Sequence, residues 1–125
     1  MKLTRKIMLI VLIGLFSQFS MADNASSAKE IADIVASLNH FPSDADKEAL
    51  MAISSDDSLA EGVRAMATAI ATFAHSANDE GKEAMARIMA SDQAPDRAKS
   101  LAGIIADLNH TASADAKGTL AELFP

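Results

Sequence analysis

The chain has 125 residues, half of them hydrophobic, with 17 acidic against 11 basic side chains and a net charge of −6. That balance disfavours nucleic acid as a partner, because affinity for a phosphate backbone comes mainly from Lys and Arg. With no cysteine, the fold must rest on apolar packing, and with no Trp or Tyr any tight interface must rely on Phe, Met, Leu or charge.

The first residues read as a targeting signal. Lys2, Arg5 and Lys6 form a basic region, residues 7–16 form an apolar run, and Ser20 and Ala22 place small side chains at the −3 and −1 positions of a peptidase site. The run is about ten residues, half of the roughly 20 that a membrane-spanning helix requires. The expectation is a signal peptide over 1–22 and a single domain over 23–125, periplasmic or secreted. No membrane span is expected after cleavage, and no lipid anchor, since no cysteine stands at the cleavage point. Taking Lys2, Arg5 and Lys6 from the 11 basic residues leaves 8 against 17 acidic, a charge of −9 on the mature chain. Such a surface suits a basic partner.

Self-comparison reveals the organisation of the remainder. At an offset of 70, Ala28, Lys29, Ala32, Ile34, Leu38, Asn39, His40, Ser43, Lys47 and Leu50 meet identical residues from Ala98 to Leu120. At half that offset a middle copy appears, with Ala67, Ala71, His75, Asp79 and Lys82 on Ala32, Ala36, His40, Asp44 and Lys47. The copies run over 28–62, 63–97 and 98–125. All three histidines share one column.

Residues 23–26 read as a frayed tail. The first helix of copy one follows, with Ile31, Ile34, Val35 and Leu38 on one face and a capping box from Ser27 and Glu30. Ser43 caps its second helix, which carries Asp44 and Asp46 in the first turn and Ala49, Leu50 and Ile53 on its apolar face. After a polar connector over 54–58, Ser58 and Glu61 form a second capping box ahead of Leu59, Val63, Met66, Ile70 and Phe73. Asn78 caps the next helix, with Asp79, Glu80, Ala84, Met85 and Ile88. Residues 91–95 connect to copy three, where Pro95 opens a helix bearing Leu101, Ile104, Ile105 and Leu108. Ser113 caps the last, with Asp115, Leu120 and Leu123. The fold class is all-α: three tandem helix-turn-helix repeats of about 35 residues, six helices, arranged as a short α-solenoid or a compact helical bundle. In general form, and in Gly62-Val63-Arg64 after an acidic connector, the chain is similar to HEAT repeats. The resemblance covers that connector alone and carries no site residue with it.

His40, His75 and His110 are the candidate metal ligands. Stacked repeats would space them about 10 Å apart along one edge, so neighbours could share an ion, each nitrogen about 2.0–2.1 Å from it, only with both rings leaning inward. The competing reading makes them cap residues, with Asn39 and Asn109 in the left-handed conformation and histidine facing the negative helix end. Met66 and Met85 share columns with Ile31 and Leu50 and read as core, which removes support for copper. His40, Ser43, Asp44 and Asp46 have hydrolase residue types, but the serine column reads as N-caps and no oxyanion motif accompanies it. Lys47 and Lys82 read as surface i,i+3 partners of Asp44 and Asp79, while Lys117 follows Ala114, and the column of three is alternatively a binding stripe. The function expected is that of a non-catalytic module binding another protein, without cofactor. The alternative is a periplasmic metal-binding protein using the histidine column.

Overall fold

A computed structural model describes residues 21–125. The basic and apolar parts of the expected leader lie outside the described residues; Met21 and Ala22 open the first helix. Six α-helices follow one another: α1 (Met21–Ser37), α2 (Asp44–Ser54), α3 (Glu61–Ala71), α4 (Asp79–Ala90), α5 (Asp96–Asp107) and α6 (Ala114–Leu123). The described residues contain no strand, only isolated bridges across the tips of three turns. The chain is all-helical.

The second helix of each repeat begins where its cap residue demands. Ser43 Oγ accepts the Asp46 N–H at 3.1 Å, Asn78 Oδ1 accepts that of Gly81 at 2.8 Å, and Ser113 Oγ accepts that of Ala116 at 3.0 Å. Each satisfies a donor that a helix start otherwise leaves unpaired. Replacing Ser43, Asn78 or Ser113 by Ala is expected to remove about 1 kcal/mol, roughly 4–8 °C in a thermal melt of a domain this size. A shift under a degree in all three would show that these caps contribute nothing.

The first helices depart from the sequence-based expectation at their starts. The Ser27 box does not form, because α1 begins at Met21 and Ser27 lies inside it. Nor do residues 23–26 fray. Asn24 is buried at 5% exposure, and its Oδ1 accepts the Ala60 N–H at 2.9 Å, docking this turn on the start of α3. Ala60, the N-cap residue of α3, has no side-chain cap of its own. Ser58 is drawn away from capping by Asp56, whose Oδ1 accepts both its hydroxyl at 2.6 Å and its amide at 3.0 Å. Those two bonds hold the Asp56 carboxyl below the usual carboxylate range.

Packing between repeats then closes the structure. Helix α2 lies against α3 and α4 against α5, while α6 returns to α1. The first helices α1, α3 and α5 all touch one another around a common axis. The repeats thus form a closed ring of three with pseudo-threefold symmetry, the bundle of the two arrangements expected and not the open solenoid. Equivalent columns fill the core: Ile31, Met66 and Leu101, then Val35, Ile70 and Ile105, all at 1% exposure or less. Ala32, Ala67 and Ala102 are equally buried, and their small side chains let the three central helices approach. Met66 and Met85 are core fillers, as their columns require.

Candidate metal centre

The same three-residue device ends the first helix of every repeat. Leu38, Phe73 and Leu108 drop into the core just past each helix, and Ala77 and Ala112 re-enter it four residues later, as Pro42 does in the first repeat. Between two buried anchors so close together the chain has to reverse sharply. In the first and third repeats the Phe41 N–H donates to the Asn39 carbonyl and the Thr111 N–H to that of Asn109, both at 2.8 Å. These three-residue turns place a histidine at the tip. His40, His75 and His110 have φ of 70°, 67° and 69°, and they are the only positive-φ positions among the described residues.

The left-handed residue is therefore histidine itself, where the sequence pointed to the preceding asparagine. A side chain in that conformation costs about 1–2 kcal/mol, which glycine avoids. Every repeat nevertheless holds an imidazole there. Strained backbone that recurs at one place is the kind of feature that accompanies function.

The three tips are tied together by their backbones. His40 N–H donates to the His110 carbonyl at 2.7 Å, His75 N–H to that of His40 at 2.7 Å, and His110 N–H to that of His75 at 2.6 Å. This cycle of three hydrogen bonds encircles the pseudo-threefold axis at one end of the bundle. It brings the imidazole centroids to 5.0, 5.3 and 4.9 Å from one another, with the rings steeply inclined. The spacing of about 10 Å along one edge, expected for a stack, does not occur, because the repeats close around an axis and do not run along a line.

One nitrogen from each ring lies within 4.8 Å of the other two, and all three residues are exposed. No other group of His, Cys, Asp or Glu among the described residues converges in this way. Three nitrogens on a tetrahedral ion, each about 2.05 Å from it, stand about 3.4 Å apart. The remaining gap is roughly 1.4 Å, a distance on the scale of a side-chain torsion change in an exposed ring.

Two of the rings are also held from outside. Asn39 Oδ1 lies 2.6 Å from Nδ1 of His40, and Asn109 Oδ1 lies 2.6 Å from Nδ1 of His110. A carboxamide oxygen only accepts, so this contact favours the tautomer with the proton on Nδ1, which would leave Nε2 of a neutral ring to bind an ion. Carbonyl partners of this sort orient most metal-ligating histidines. The second repeat has Ala74 in that column, so His75 has no such partner. Asn39→Ala and Asn109→Ala are each expected to weaken metal affinity by about 10–100-fold, measured by competition with a chromophoric chelator. An unchanged affinity in both would deny the asparagines this role.

Sequence reasoning named the three histidines but not their convergence, nor the two asparagine contacts. The remaining candidate groups do not assemble. Ser43 accepts the Asp46 N–H, the capping role that the sequence pointed to. Of the possible lysine pairs, Lys29 with Asp33 forms at 3.1 Å, on an exposed helix face. No protein-family model, curated protein sequence or solved structure matches this chain.

Proposed function

We propose that this chain is a metal-binding protein in which His40, His75 and His110 together hold one divalent transition ion. A single observation carries the reading: residues 35 positions apart are drawn by a backbone hydrogen-bond cycle to within 4.8 Å at their donor atoms. Neutral imidazole suits zinc, copper and nickel, and zinc, with its tetrahedral habit, fits three nitrogens most directly. The use of histidine at a strained position open to glycine supports it further. On this reading the protein performs no reaction of its own but binds, buffers or passes on the ion. Its sequence leader would place that activity in the periplasm or outside the cell. The second reading, a module that binds another protein, draws on Phe41, Met51 and Met89, large apolar side chains left exposed.

Titration of the purified protein with zinc is expected to give one ion per chain with sub-micromolar affinity, and His40→Gly, His75→Gly and His110→Gly should each abolish it. Binding that survives the loss of any one histidine would overturn the proposal.

A further inference from the structure

The metal reading leaves one coordination position to be accounted for, and what surrounds it is not symmetric. Zinc and cobalt take four ligands in such sites, and three come from the chain. All three histidines are exposed, so the fourth would be open to solvent. Beside it stands Phe41, 55% exposed, with its ring centroid 5.8 Å from that of His75 and 6.4 Å from that of His40. The other two repeats have Ser76 and Thr111 in that column. The turn therefore does not require an aromatic residue, and burial does not explain one.

Charge around the centre discriminates further. The C-terminal ends of α1, α3 and α5 and the N-terminal ends of α2, α4 and α6 meet at this end of the bundle, so their dipoles largely offset one another, and the sign of the surround is set by side chains, Lys47, Lys82 and Lys117 against a larger number of carboxylates. Asp44, Asp46, Asp79, Glu80 and Asp115 occupy the first turns of the helices that follow the histidines. This field favours a cation at the centre and opposes an anion approaching the fourth position.

We propose, resting on the metal reading, that the open position is a binding site for a neutral aromatic nitrogen donor, an imidazole, whose ring packs against Phe41. Nitrogen supplies the coordinate bond and the ring supplies the aromatic contact, while the lack of charge avoids the acidic surround. Free imidazole-type small molecules and a histidine side chain of a partner protein share this chemistry.

The test uses the full protein loaded with cobalt, whose visible spectrum reports changes in coordination. Imidazole is expected to shift that spectrum at concentrations at least tenfold lower than acetate needs. Phe41→Ser, which installs the residue of the second repeat, should weaken imidazole about fivefold to tenfold and leave cobalt affinity unchanged. A short histidine-containing peptide, run in parallel, separates the two sources. Binding as tight as free imidazole points to a partner's side chain, and binding much weaker points to a small molecule. Imidazole that strips the ion without forming a ternary complex would overturn the proposal, as would equal affinity in Phe41→Ser. Failure of cobalt to bind at all is a different result, and it removes the metal reading itself.

Discussion

Zinc at a hundredfold its dissociation constant is expected to raise the melting temperature by about 10–20 °C. A ligand that binds only the native state at that excess contributes about 2.7 kcal/mol, and each kcal/mol moves a domain of this size by about 4–8 °C. The condition of native-only binding holds here, because successive ligands are 35 residues apart in sequence and meet through the closed ring. Glycine is the appropriate replacement for each histidine. It relieves about 1–2 kcal/mol of left-handed strain and adds roughly 1 kcal/mol of unfolded-state entropy. The metal-free variants should therefore melt within a few degrees of the parent while losing the zinc response. Valine in the same place should destabilise by more, since a β-branched side chain tolerates positive φ worst. The zinc response has a definite pH sign. Imidazole must be neutral to bind, and binding displaces protons, so the shift should be largest near about pH 8 and fade toward about pH 5.5. A melting temperature indifferent to zinc at the higher pH would contradict the metal reading.

Removing the third repeat should unfold the other two. In an open stack a terminal repeat can be lost and the remainder survives, shortened, because each unit touches only its neighbours. In the closed ring each repeat touches both others. Deleting residues 96–125 takes away Leu101, Ile105 and Leu120, all buried, and uncovers Ile31 and Met66 on the central axis. It also leaves the His40 N–H and the His75 carbonyl without partners. Loss of one such core side chain costs about 2–5 kcal/mol, and a domain has only about 5–15 kcal/mol in total. Several losses together exceed that reserve. The truncated chain is expected to show weak helicity by circular dichroism and no cooperative melt, as is the isolated hairpin over 28–57. A two-repeat fragment that melts cooperatively would mean that closure contributes little to stability.

Much of this protein is legible in its sequence, and the part that is legible is local. Helices follow from apolar residues recurring at three and four positions. The starts of α2, α4 and α6 follow from Ser43, Asn78 and Ser113, because a cap bond joins groups three residues apart and needs nothing from the rest of the chain. The histidine column was visible for the same reason, as a matter of counting along a repeat. Where a distant group competes, local reading fails. Ser58 belongs to Asp56 and not to its helix, and Asn24, 36 residues from Ala60, supplies the cap that α3 lacks. Closure is of this second kind. Whether three hairpins stack in a line or bend into a ring depends on the angle between neighbours. That angle is set by how closely Ala32, Ala67 and Ala102 let the central helices meet, a property of three surfaces in contact and of no single one. The pattern of residues placed a histidine at every tip. Only the tertiary structure, by bringing the tips onto one axis and satisfying each backbone N–H with the next carbonyl, turned three separate turn residues into one site.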